Sequence, residues 1–93
     1  MLDITVLELT TDAINSLGLD SKISGILVTE VGDKNENLLK NDVIIQVSSE
    51  KINDINSFEK IISNSIELNR DKLLLRVIRD GNEFWLINPL IIE

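Results

Sequence analysis

Few residues of this sequence could carry out catalysis. It contains neither histidine nor cysteine, so a Ser-His-Asp or Cys-His arrangement cannot form within the chain, and disulfides and thiolate metal sites are excluded. Ser21 and Lys22 are adjacent, but their surroundings indicate only a loop. The sixteen acidic residues stand in no recognisable acid–base context, and most such carboxylates lie on solvated faces. We therefore predict that the chain is not itself an enzyme and uses no cofactor.

One segment imitates a metal site. Residues 33–37 match the opening D-x-[DN]-x-[DN] of a calcium loop. The next position of such a loop is a glycine that makes a sharp turn, and here it is Leu38. The twelfth position is a bidentate glutamate, and here it is Ile44, inside a predicted strand. We interpret the segment as a polar turn and predict no metal ligands.

Net charge and hydropathy exclude two classes of partner. The formal charge is −7, whereas nucleic-acid affinity comes chiefly from clustered Lys and Arg, so nucleic acid and anionic membranes are poor partners. Apolar runs such as residues 73–75 are far shorter than the ~18 residues that span a bilayer, so we predict no membrane insertion. The chain opens without a signal-peptide pattern, and we expect it to be an excised part of its parent if that parent is exported.

The remaining pattern predicts a small α+β domain covering residues 1–93. Asp54 is a plausible N-cap for the second helix, whose apolar residues recur at three- and four-residue spacing. Asp80-Gly81 between apolar runs predicts a hairpin. Because strands outnumber helices and do not alternate with them, we expect a bent antiparallel sheet, or partly open barrel, capped by two helices. The predicted strands cover residues 4–9, 26–31, 43–47, 51–52, 73–79 and 83–87, and the helices cover residues 13–17 and 55–65.

Five segments in order resemble the PDZ domains of HtrA/DegP-type serine proteases. They are Leu-Gly-Leu at 17–19, Gly-Ile-Leu-Val-Thr-Glu-Val at 25–31, Leu-Leu-Lys-Asn-Asp-Val-Ile at 38–44, residues 52–62, and the closing hairpin at 73–81. The order is most similar to the C-terminal PDZ module of these proteases. Where the family has glycines around the third segment, this chain has Asn37 and Asn41, and Asn is the residue that best replaces Gly in left-handed backbone. The family's Asn-Gly turn is replaced by Ser48-Ser49.

The resemblance implies that the domain binds peptides or unfolded segments by adding them as a strand to an open sheet edge. Carried over by position, the carboxylate-binding loop falls on residues 1–4 and the augmented edge on residues 4–6. Asp3 stands where the family has Gly, and its charge would repel a peptide carboxylate by about 1 kcal/mol. An apolar helical stripe is core in most proteins, so for Ile62 a core role and a groove role both stay open. The implied peptide-binding residues are Leu2, Asp3, Ile4, Thr5, Val6, Ile55, Glu59 and Ile62.

The same resemblance implies a periplasmic parent protease whose protease domain and sister PDZ domains would be further partners. One alternative is an assembly module that holds the subunits of such a protease cage together, and the replaced glycine at Asp3 favours it. Another is a PDZ domain of a different bacterial envelope protein, such as a membrane-embedded protease or a secretion-system component.

Overall fold

A computed structural model describes residues 4–33, 35 and 37–89. Within these residues the chain forms six strands and two helices. In chain order they are β1 (Ile4–Glu8), α1 (Thr11–Ser16), β2 (Ile26–Val31), β3 (Val43–Val47), β4 (Glu50–Lys51), α2 (Ile55–Glu67), β5 (Lys72–Arg79) and β6 (Asn82–Pro89). No helix in the described ranges is long and apolar enough to cross a bilayer.

All six strands belong to one antiparallel sheet, in the order β1-β2-β3-β5-β6, with β4 paired to β3 off this path. The sheet does not close, and the two helices complete the domain. This architecture confirms the predicted α+β, PDZ-like fold.

The core lies between the sheet and α2. Alternate residues of β5 are buried, as expected for a strand with one face against a core, and Phe58 and Ile62 of α2 close the cluster from the other side. Most of its members are branched aliphatic side chains, which suits a strand-rich core. The buried cluster comprises Ile26, Val28, Leu38, Ile44, Val47, Ile52, Phe58, Ile62, Leu73, Leu75 and Val77.

Local signals set the ends of both helices. The Thr10 hydroxyl accepts a hydrogen bond from the Ala13 amide at 3.1 Å, and Gly18 (φ +68°) follows the end of α1. The Asp54 carboxylate accepts hydrogen bonds from the amide and the hydroxyl of Ser57, at 2.8 and 2.7 Å. These bonds confirm Asp54 as the N-cap of α2.

The turns use residues that tolerate positive φ with one exception. Asp80 (φ +52°) and Gly81 (φ +80°) form the predicted hairpin turn between β5 and β6. Asn41 is left-handed (φ +75°), as its replacement of a family glycine predicts, but Asn37 is not among the positive-φ residues. Ser48 is the exception, because it takes φ +55° without the tolerance of Gly or Asn.

An ion pair between the half-buried Arg79 and the buried Asp42 joins the hairpin to the segment before β3. The Asp42 side chain is 1% exposed, and its two oxygens accept hydrogen bonds from Nε and Nη2 of Arg79 at 2.8 and 2.7 Å. The Leu39 amide donates to the same carboxylate at 2.8 Å, and Arg79 also donates to the Asn37 carbonyl at 3.0 Å. The hydrogen bonds to Asp42 raise the pKa of Arg79. This pair holds the backbone at residues 41 and 42, which hydrogen-bonds to Val28 of β2.

Candidate functional site

The first strand lies at an open edge of the sheet. Strand β1 pairs with β2 along one side, from Ile4 opposite Val31 to Glu8 opposite Ile26. No strand of the described ranges lies on its other side. An edge strand leaves a row of backbone donors and acceptors available to another chain.

The pairing of Val28 determines which way the backbone of β1 faces. The Val28 amide donates to the Asp42 carbonyl and its carbonyl accepts from the Asn41 amide, both at 2.8 Å. Both backbone groups of Val28 are therefore directed to the far side of β2, away from β1. Val6 lies opposite Val28, and in such a non-hydrogen-bonded pair both residues point their backbone groups outward. The amide and carbonyl of Val6 therefore face the open edge.

Thr5 gives the complementary observation. The Thr29 hydroxyl on β2 donates to the Thr5 carbonyl at 3.1 Å, beside the irregularity in the β1–β2 register between Thr5 and Val6. The Thr5 carbonyl is thus engaged by the protein's own chain. Since backbone groups alternate in direction along a strand, Ile4 shares the outward direction of Val6.

Helix α2 borders this edge. The Glu8 carboxylate, at the end of β1, accepts a hydrogen bond from the Ile55 amide at 2.6 Å, which ties the end of β1 to the beginning of α2. Ile55 and Ile66 are half-buried and pack against the core cluster, as do Ile4 and Val6 of β1. The strand and the helix therefore each present partly exposed apolar side chains beside one another.

The N-terminus of α2 is held by Asp54. The side-chain hydrogen bond from Ser57, followed by the bond from its backbone amide, lowers the pKa of Asp54. The carboxylate therefore stays ionised at neutral pH, which favours the helix N-terminus electrostatically. The position of α2 beside β1 thus depends on two carboxylates, Asp54 and Glu8.

The ion pair between Arg79 and Asp42 supports the other side of the site. Arg79 holds Asp42, whose backbone carbonyl accepts the Val28 amide. Val28 in turn sets the direction of Val6. Arg79 and Asp42 are therefore positioning residues for the open edge of β1 and have no direct place in it.

The predicted site residues fall into three groups. Leu2 and Asp3 lie outside the described residues, so their roles stay predictions. Thr5 and Glu59 are exposed, while Ile4, Val6 and Ile55 are half-buried, all on β1 or α2. Ile62 is 1% exposed and belongs to the core.

Two residues at this site were not predicted. Ile66 lies on the same face of α2 as Ile55, Glu59 and Ile62, because the spacing of four, three and four residues keeps to one side of a helix. That spacing was visible in the sequence. Glu8 caps Ile55 across 47 residues of chain, and no local pattern could have indicated such a contact.

The chemistry available here is that of binding. No group of three or more His, Cys, Asp or Glu in the described ranges could hold a metal ion. The site offers outward backbone donors and acceptors on one side and apolar side chains on the other. An extended polypeptide can use both, by pairing with the edge and placing alternate side chains against the helix.

Comparison with known proteins gives a similar fold. No protein-family profile and no curated protein matches the chain. Among solved structures, the chain is similar to the HtrA3 PDZ domain bound to a phage-derived ligand, FGRWV. The TM-score is 0.72 at 20% sequence identity, and the match covers 96% of this chain and 81% of the other. At this identity the similarity establishes the fold alone, and the chain has a PDZ-like fold.

Proposed function

We propose that the domain captures extended polypeptide segments by β-augmentation at the open edge of β1. The observation that carries this proposal is the outward direction of the Val6 backbone, which follows from the engagement of both Val28 groups by residues 41 and 42. A segment pairing there would run beside α2. Its alternate side chains would contact the half-buried Ile55 and Ile66.

The expected affinity is modest. Each backbone hydrogen bond adds a net ~0.5–1.5 kcal/mol, and each buried apolar side chain adds ~1.5–3 kcal/mol. Ordering the segment and losing its free motion offset much of this gain. We therefore propose a dissociation constant in the micromolar range, which corresponds to a binding free energy of about −8 kcal/mol.

A peptide titration followed by NMR tests the site. The ligand of the similar structure, FGRWV, is the first probe, followed by a library of peptides with random C-termini. Amides of residues 4–8 and 55–66 are expected to shift progressively. Shifts confined to other regions, or none at high peptide concentration, would refute peptide capture at this edge.

Two derivatives of each peptide determine how it is recognised. C-terminal amidation removes the charge that a carboxylate-binding loop would need, and methylation of one backbone amide removes a strand-pairing donor. Loss of binding on N-methylation with little change on amidation indicates capture of internal segments. Loss on amidation indicates recognition of free C-termini by the loop at residues 1–4.

We also propose that the parent is an HtrA/DegP-like serine protease of the bacterial periplasm and that this domain is its C-terminal PDZ module. The order of the five resembling segments and the similarity to the HtrA3 PDZ domain support this parent. The catalytic Ser, His and Asp would lie in another domain, since this chain has no His. A parent gene without an upstream trypsin-like domain, or a parent that fractionates with the cytoplasm, would rule the proposal out.

A second candidate function is assembly of the same protease. The replacement of the family's loop glycine by Asp3 favours it, because a weakened peptide site leaves subunit contacts as the remaining role. Deleting residues 1–93 from the parent should then reduce its oligomer size in light scattering. An unchanged size excludes this function and leaves peptide capture untouched.

A further inference from the structure

A second surface lies at the other end of the sheet, on the outer face of β5 and β6. Leu74, Trp85 and Ile87 are 41%, 44% and 57% exposed. Leu74 and Ile87 are direct cross-strand partners, and Trp85 lies two residues before Ile87, on the same face. Three large apolar side chains therefore form one strip on the solvent side of the hairpin, and contiguous exposed apolar strips of this kind mark contact surfaces.

A group of cations borders this strip. Lys22, Lys51 and Arg76 line one open depression together with Glu83. The chain has nine basic and sixteen acidic residues. The three cations and one anion at this depression therefore give it a local charge opposite in sign to that of the whole domain. Neither lysine has an ion-pair partner within the described part of the chain. Two ammonium groups are thus available to an outside anion.

Arg76 connects the depression to the apolar strip. It is the strand partner of Gln46 on one side and of Trp85 on the other. Its guanidinium carbon lies 5.2 Å from the centroid of the Trp85 ring, in cation–π range, and it forms an ion pair with Glu83. The cationic and apolar parts are therefore one continuous surface.

We propose that this surface, formed by Leu74, Trp85, Ile87 and the cations Lys22, Lys51 and Arg76, binds an acidic polypeptide segment that carries large apolar side chains. The apolar side chains contact the strip, and the carboxylates pair with the two free lysines. This site is separate from the β1 groove, because β1 and β6 lie at opposite ends of the strand order.

Size and charge favour this occupant over others. The depression has a volume of about 270 Å³, below the ~300–1,000 Å³ of typical small-molecule pockets but enough for side chains. An anionic bilayer would meet a domain of net charge −7, and the repulsion would extend over much of its surface. A short acidic segment meets only the local cations.

Trp85 is the only tryptophan of the chain, so its fluorescence reports on this surface directly. The probe is a synthetic peptide without Trp in which Glu and Asp flank Leu and Phe, titrated against the full chain. Binding should shift the Trp85 emission. The Lys22→Glu and Lys51→Glu variants should each weaken binding about fivefold, and Ile87→Ser should weaken it through the lost apolar contact.

Lys60→Glu is the matched control, because Lys60 is exposed on α2, away from this surface. The affinity of this variant for the peptide should match that of wild type. Equal weakening by Lys60→Glu, or equal binding of a peptide with Gln in place of each acid, would overturn the proposal. So would an emission shift caused by phosphatidylserine vesicles but not by the peptide. If the free chain dimerises in sedimentation and Ile87→Ser abolishes the dimer, the occupant of this surface is a second copy of the chain and not an acidic segment.

Discussion

Replacing Val6 by proline is the sharpest test of the open edge. Proline removes the backbone donor and places a ring where the N–H was. If the Val6 amide faces outward, as the bonds of Val28 to residues 41 and 42 require, no hydrogen bond of the folded domain is lost. Proline is tolerated on edge strands in this orientation.

The size of the effect on binding follows from the lost contact. One net hydrogen bond of ~0.5–1.5 kcal/mol disappears, and the ring also keeps an incoming backbone from approaching. We expect at least about a tenfold loss of affinity, since ~1.4 kcal/mol corresponds to tenfold. The free energy of unfolding should change little, because proline keeps much of the half-buried apolar volume of Val6.

Thr5→Pro is the matched control, one residue away. Thr5 is directed toward β2, where its carbonyl accepts from Thr29, so proline there disrupts pairing within the sheet. It should cost at least about 1 kcal/mol more stability than Val6→Pro. Urea unfolding gives the stability of both variants, and calorimetric titration with the best peptide gives the affinity of Val6→Pro.

Two results would refute the reasoning. If Val6→Pro binds peptide as tightly as wild type, the edge of β1 is not where peptides pair. If Val6→Pro destabilises the domain as much as Thr5→Pro, the Val6 backbone is not directed outward.

Four further outcomes are expected. Ile62→Ala should lower the free energy of unfolding by about 2–5 kcal/mol because Ile62 is core, whereas Ile66→Ala, at a half-buried position, should cost less and weaken peptide binding; urea unfolding and calorimetry would contradict this if the two behaved alike. Asp3→Gly should strengthen binding of free C-termini about fivefold through lost repulsion, and an equal gain for amidated peptides would show another cause. Ser48→Gly should raise stability by about 0.5–1 kcal/mol by relieving φ +55°, and a lower melting temperature would contradict that strain. Hydrogen bonds lower the pKa of Asp54, so the stability that the Asp54 carboxylate contributes is present above its unfolded pKa and is lost as pH falls through its folded pKa. The difference in melting temperature between wild type and Asp54→Asn should therefore close below about pH 4. A difference that stays constant with pH would count against this.

Sequence reasoning succeeded where the deciding contacts are local. Asp54 caps a helix three residues away, and Asp80-Gly81 makes its own turn, so each could be predicted from neighbouring residues. The alternation and spacing of apolar residues predicted the strands and α2 because burial of one face imposes those periods.

Long-range contacts set the parts that sequence reasoning missed or left open. Arg79 and Asp42 are 37 residues apart, and nothing in either segment indicates that they meet. The direction of the Val6 backbone depends on this pair through Val28, and the core role of Ile62 depends on how α2 rotates against the sheet. Register and rotation of this kind arise only when distant elements pack.

Within residues 4–33, 35 and 37–89, the sheet has unpaired sides at both ends of its strand order, on β1 and on β6. Two different unpaired edges on one molecule permit head-to-tail assembly, in which β6 of each copy pairs with β1 of the next. Such a contact does not close on itself, so the assembly can grow without limit. Mutual repulsion between copies of charge −7 opposes such filaments, as does Pro89 at the end of β6. Neutralising the domain by lowering the pH toward its isoelectric point of about 4.4 should thus promote fibre formation, and adding a ligand that occupies β1 should slow it.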